Sequence, residues 1–159
     1  EVYAPVRLFH QFKDASTAVD VNPNYVKPAG LMMRLMKATD EYGGGVATYY
    51  MTSGKLLNMC LDLLQLMRED AEKMAAGDLH ELLRAWENYH RIWCVETHIR
   101  HIEFRKESRY PGFYYRSDYP TCDDENWKVF VNSTFDPKSK EWKCEKVNCV
   151  NIIETTPWL

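Results

Sequence analysis

Residues 53–105 read SGKLLNMCLDLLQLMREDAEKMAAGDLHELLRAWENYHRIWCVETHIRHIEFR, and the spacing of apolar residues in this stretch decides the fold. Ser53 is a side chain of the type that accepts from the first free amides of a helix. Behind it Leu56, Cys60, Leu63, Leu64, Met67, Ala71 and Met74 recur at three- and four-residue steps, which predicts an amphipathic helix over about 54–76. Gly77 is read as its stop. Asp78 caps the next helix, and Glu81 three residues on completes a capping-box pattern before a run to about Arg105. A break of two residues predicts an antiparallel hairpin of helices. The second helix carries two apolar stripes, one through Leu79, Leu83, Trp86 and Trp93, the other through Leu82, Tyr89, Ile92, Ile99 and Ile102. Such a helix must touch neighbours on more than one side.

Upstream of this pair, Pro28 suits a first helical turn, and Leu31, Met32, Leu35, Met36 and Thr39 keep helical spacing until Gly43-Gly44-Gly45. This is the third helix. Val46 to Met51 is β-branched and aromatic, equally consistent with a strand or a resumed helix. Residues 1–27 break periodicity at Val19 to Tyr25 and read as an irregular lead-in that needs a surface to lie on. Downstream, residues 106–126 are aromatic and proline-bounded, which predicts a defined loop. Trp127 to Asn132 and Glu141 to Val147 flank a turn at Phe135 to Lys140, as in a β-hairpin, and residues 127–159 hold this hairpin and a tail. The expected fold class is mainly α: a three-helix bundle over 28–105, an irregular aromatic loop and a small C-terminal β-hairpin. No internal repeat is visible.

With 159 residues the chain is the size of one domain, and a net charge of −3 without a basic block argues against nucleic acid. No apolar run is long enough for membrane insertion. Glu1 has neither an initiator Met nor a basic leader after it, so the chain reads as cut from something longer. Five cysteines, an odd number partly set in amphipathic helix, fit a cytoplasmic protein. His90, Cys94, His98 and His101 lie on one stripe of the last long helix. Ligands spread over successive turns of one straight helix cannot converge on a tetrahedral ion, so no metal site is expected there. Cys122, Cys144 and Cys149 match no cluster or redox spacing and read as structural or incidental thiols. Gly43-Gly44-Gly45 reads as a helix break rather than a phosphate cradle.

The candidate functional residues are a docking group: Arg109, Tyr110, Phe113, Tyr114, Tyr115, Arg116, Asp118 and Tyr119. Guanidinium groups stack on aromatic faces and bond carboxylates in forks, and rings in such number call for a covering partner. Arg109 and Arg116 are expected to face that partner.

Lys106-Glu107-Ser108-Arg109, Arg116-x-Asp118-Tyr119-Pro120 and Asp123-Asp124-x-x-Trp127 together resemble the signature near the C-terminus of succinate dehydrogenase and fumarate reductase flavoproteins. In place of their Gly-Ala-His segment stands Tyr110-Pro111-Gly112-Phe113-Tyr114-Tyr115, which is similar to the adenylylsulfate reductase branch of that superfamily. Asp20 to Tyr25, Gly45 to Tyr50, Asp78 to His90 and Val131 to Ser133 are similar to it as well. The resemblance implies a parent holding FAD in a separate N-terminal domain and pairing with a beta subunit that carries two [4Fe–4S] clusters. It implies the conversion of adenylylsulfate to sulfite and AMP, or the reverse. This chain would pack against the flavin and capping domains and the iron–sulfur subunit, and would be inactive alone. No catalytic, cofactor-binding or metal-ligating residue is transferred to it. Two other readings stay open: a true fumarate reductase or succinate dehydrogenase flavoprotein, and a free-standing helical interaction or metal-binding module. An excised chain is expected to self-associate.

Overall fold

The computed structural model describes residues 25–110 and 114–150. The chain is mainly α, with three long helices in an up-down-up bundle. Helix α1 spans Pro28–Tyr42 and starts on a proline at N1 without a side-chain cap. It buries Leu31, Leu35 and Ala38. It ends at Gly43, where a Cβ would stand 2.6 Å from the Thr39 carbonyl oxygen and 2.8 Å from Ile99 Cδ1, so only glycine lets the chain pass. The ambiguous stretch that follows is neither long strand nor long helix. It holds a 3₁₀ turn, Val46–Thr48, and then a two-residue strand β1, Met51–Thr52.

Helix α2 runs over Gly54–Ala71, and Ser53 Oγ accepts from the Leu56 amide at 3.4 Å. It stops five residues short of the expected end. Val26 N–H donates to the Lys73 carbonyl (3.0 Å) and Ala75 N–H to the Val26 carbonyl (3.4 Å), so backbone groups that would continue the helix serve a bridge to the strand-like approach of α1. Met74 still buries, but from an extended backbone. The link to α3, Leu79–Phe104, is therefore longer than two residues. Asp78 caps α3 by accepting from the Glu81 amide (2.8 Å), and Glu81 reaches back to the Gly77 amide (2.7 Å). Gly77 thus belongs to the start of α3 rather than to the end of α2.

The core joins Leu31 and Leu35 of α1 to Leu57, Cys60, Leu64 and Met67 of α2 and to Ala85, Ile92 and Ile99 of α3. Burial at this scale supplies the main driving force for the bundle. Asn88, buried within it, donates to the Pro28 carbonyl at 2.6 Å, and Arg34 pairs with Asp70 at 2.7 Å. These pairs show α1 running in the sense of α3 and against α2. Of the two stripes read on α3, Leu79 and Leu83 stay exposed, while Ile92 and Ile99 lie in the core.

Strands β3 (Val129–Asp136) and β4 (Glu141–Asn148) form the antiparallel hairpin, with Phe135 opposite Trp142. Trp93 of α3 sits 4.8 Å from the Phe135 ring and 6.1 Å from that of Trp142, which fastens the hairpin to the bundle. The expected lead-in up to Asn24, the tail from Asn151, and Phe113 lie outside the described residues. No helix among the described residues is long and apolar enough to cross a membrane.

Candidate docking site at the helix ends

Where α3 ends, the chain turns through an acidic residue closed off from solvent. Glu107 is fully buried. Its carboxylate accepts from Arg105 Nη1 (2.6 Å), Arg109 Nε and Nη2 (2.7 and 2.9 Å) and the Asp123 amide (3.0 Å). Burial pushes its pKa up, but the bonds from Arg109, the Asp123 N–H and Arg105 outweigh it and hold the group below the usual carboxylate range. Arg105 also donates to the Trp127 and Val129 carbonyls, each at 2.8 Å, and Arg109 to Asp124 Oδ1 at 2.8 Å. One buried carboxylate therefore ties the end of α3 to the loop, to the short helix α4 (Asp124–Trp127) and to the root of β3.

A second pair crosses two helix ends. Strand β2, Tyr115–Arg116, runs parallel to β1, with Met51 opposite Tyr115 and Thr52 opposite Arg116. This ladder carries Arg116 inward until it is 1% exposed. Its Nη1 donates to the carbonyls of Ile102 (2.7 Å), Glu103 (3.2 Å) and Arg105 (3.3 Å), the free acceptors at the end of α3. Its Nε and Nη2 grip both oxygens of Asp118 at 2.8 and 2.6 Å. Asp118 Oδ2 in turn accepts from the Gly54 amide (2.9 Å) at the start of α2. A Cβ on Gly54 would lie 3.1 Å from that oxygen, a tight approach to a carboxylate already held by Arg116. The cation sits at the negative end of one helix dipole and the anion at the positive end of another. The Arg116 hydrogen bond, against some burial, brings the Asp118 pKa down to about 2.

The predicted docking group thus divides. Tyr110 is 72% exposed, and Tyr115 and Tyr119 are exposed beside it. Arg116 is corrected from an outward contact to an internal one, because each of its nitrogens bonds within the domain and its guanidinium lies 5.1 Å from the centroid of the Tyr119 ring. Tyr114 also points inward, its one hydroxyl proton shared between the Ile102 (3.2 Å) and Arg105 (3.1 Å) carbonyls. Arg109 is mostly engaged by Glu107 and Asp124. In the sequence Glu107 stood out only as one member of the Lys106-Glu107-Ser108-Arg109 motif, and Tyr49, Tyr50 and Met51 lay in the segment open between strand and helix. Tyr49 and Tyr50 hold left-handed φ values of 53° and 61° and expose their rings next to β2, since the Tyr115 amide donates to the Tyr50 carbonyl at 3.1 Å.

The histidine stripe takes up separate tasks. His101 Nε2 and Ser133 Oγ are 2.8 Å apart, linking α3 to β3, and His90 packs on Trp86. No group of three or more His, Cys, Asp or Glu among the described residues could hold a metal ion. Burial pushes the Cys60 thiol up to about 11. Gly43 to Gly45 leave a helix end and enter a 3₁₀ turn, without the strand and helix N-terminus that cradle a dinucleotide.

Residues 49–157 match the family described as the fumarate reductase flavoprotein C-term. The chain is 55% identical over 154 residues to an adenylylsulfate reductase alpha subunit of Megalodesulfovibrio gigas, covering 97% of this chain and 23% of that one. Its fold superposes with a TM-score of 0.83, at 54% identity, on adenylylsulfate reductase from the hyperthermophilic Archaeoglobus fulgidus, covering 97% of this chain and 24% of the other. The same figures hold for an adenosine-5-phosphosulfate reductase in complex with sulfite as a covalent adduct. A Mycobacterium smegmatis Sdh1 complex shares the fold alone, with a TM-score of 0.60 at 16% identity. The chain spans about a quarter of the length of the relatives it matches.

Proposed function

The chain belongs to the family of fumarate reductase flavoprotein C-terminal domains, and from that premise we propose that it is the C-terminal helical domain of an adenylylsulfate reductase flavin subunit. Identity of 55% along 97% of the chain, to a protein of that activity, carries the reading. The parent, working in the cytoplasm, converts adenylylsulfate to sulfite and AMP or runs the reaction in reverse. It uses FAD and a beta subunit bearing [4Fe–4S] clusters.

This domain packs and docks. The described residues do not fit a flavin cradle, for the reason given at Gly43 to Gly45, so no step of the reaction is derived through them. Tyr110, Tyr115 and Tyr119 form the face that meets the flavin and capping domains or the iron–sulfur subunit. Glu107, Arg109, Tyr114, Arg116 and Asp118 hold that face in position by tying it to the ends of α2 and α3. Removing the tie in the full enzyme weakens assembly before it weakens substrate binding.

The test is turnover by the full-length parent. Sulfite and AMP formed from adenylylsulfate with a reduced electron donor support the reading. Fumarate turnover without adenylylsulfate turnover replaces it with the fumarate reductase or succinate dehydrogenase type, which the shared family and the Sdh1 likeness in fold keep as the second reading.

A further inference from the structure

The parallel helices α1 and α3 leave an open groove between them, closed at one end by the turn after α1. It is about 880 Å³ and is walled by Met32, Met33 and Met36 of α1, Cys94 and Val95 of α3, and Val46 of the 3₁₀ turn. Met33, Met36 and Val46 are 67%, 55% and 68% exposed, a run of apolar surface on one side of a small domain. Surfaces of this extent mark contacts with another body, and methionine, unbranched and polarizable, suits a wall that must adapt to what fills it. The opposite walls of the same helices are packed into the core through Leu31, Ile92 and Ile99. The groove is therefore the side left without a fourth layer.

We propose that this groove seats an apolar segment from the upstream part of the same polypeptide. The inference rests on the reading above that the chain is the C-terminal quarter of a longer subunit. The length of polypeptide outside the matched region favours that occupant over a second copy or a partner subunit. The matched relatives carry about three quarters of their length outside the region this chain covers, so most of the polypeptide is tethered to it. Tethering turns docking into an intramolecular event at high effective concentration, which a separate chain must match by affinity. A segment with apolar residues at helical or strand spacing fills the groove.

The experiment uses the full-length protein and two independent readouts. With Met36→p-benzoylphenylalanine, irradiation is expected to yield an adduct on a peptide upstream of residue 1, mapped by mass spectrometry. An adduct on the beta subunit, on a second copy, on residues 1–24 or 151–159, or no adduct at all, overturns the proposal. The unaltered full-length flavin subunit, purified without its partner and kept dilute, gives the second readout and does not depend on a variant folding. Met33 and Met36 are expected to oxidise with peroxide at least ~10-fold more slowly than in the same chain unfolded in urea, because susceptibility follows exposure. Smaller protection, or protection that appears only with the partner or on raising concentration, overturns it. Adenylylsulfate turnover is measured separately, on the full-length flavin subunit assembled with its beta subunit. If turnover persists while the groove proves open, the groove proposal fails alone, and if turnover is absent, the functional reading fails by itself.

Discussion

Arg116 shows how one side chain can replace several ordinary capping residues. A buried ion pair is weak evidence of stability in itself, because desolvation offsets much of the attraction, but removing one partner strands the other. Here Arg116→Ala leaves Asp118 without its fork and the Ile102, Glu103 and Arg105 carbonyls without a donor. The expected cost is roughly 3–5 kcal/mol, read as faster hydrogen exchange at amides near 54–57 and 100–116 in the parent protein. Arg116→Lys keeps the charge but not the planar fork and falls between. Unchanged exchange in Arg116→Ala sinks the argument. The same pair sets an acid limb. Asp118 titrates at about 2 in the fold, below its ordinary value, so its contribution is complete above the unfolded pKa and fades as pH drops through the folded one. Glu107, also shifted downward, adds in the same direction. Stability of this domain should therefore decline from about pH 4 toward pH 2, starting from the ordinary carboxylate value. Asp118→Asn should flatten that decline as well as lower stability at neutral pH, and a variant with the unaltered acid profile would remove Asp118 as its cause.

Among the elements, those whose bonds are local were legible and those built across long separations were not. Ser53 and Asp78 announced their helices because a cap bonds within three residues, and Asp78→Ala should cost about 1 kcal/mol in thermal or denaturant unfolding. The early stop of α2 was hidden. Met74 continues the apolar stripe perfectly well, while the backbone around it is diverted to Val26, nearly fifty residues away. The β1–β2 ladder, two residues paired with two others across the bundle, leaves no periodic trace, and Arg116 read as an outward docking residue because arginine is almost never fully buried unless paired. The hairpin was legible from its alternation. Its attachment depended on Trp93 meeting Phe135 and Trp142, which spacing alone does not show. A two-stranded hairpin is marginal by itself, so the aromatic contact decides whether it stays ordered. Trp142→Ala should speed amide exchange across β3 and β4 with little change in α1 and α2. Uniform loss across all elements would show instead that the hairpin and bundle fold as one unit.

For the molecule as a whole, the apolar surface is unevenly placed, and that asymmetry makes a prediction about the chain taken by itself. Met33, Met36 and Val46 border the groove, while Tyr49, Met51, Tyr110 and Tyr115 crowd the end where β1 and β2 pair. The left-handed backbone at Tyr49 and Tyr110 costs energy in L-residues, yet their rings gain no burial within the domain to offset it. Such an arrangement is stable in a larger body that covers the rings, and it is exposed when that body is removed. An excised chain of 159 residues should therefore associate with itself through the aromatic loop, the lead-in or the groove. Sedimentation velocity over rising concentration should show species above 18.7 kDa, and Tyr110→Ser combined with Met36→Lys should shift the boundary back toward that mass. Neither substitution disturbs a buried contact, since both side chains face outward, so loss of association would not be a by-product of unfolding. A strictly monomeric chain at high concentration, with helical content intact, would place those rings inside the domain's own structure and remove the need for a covering partner.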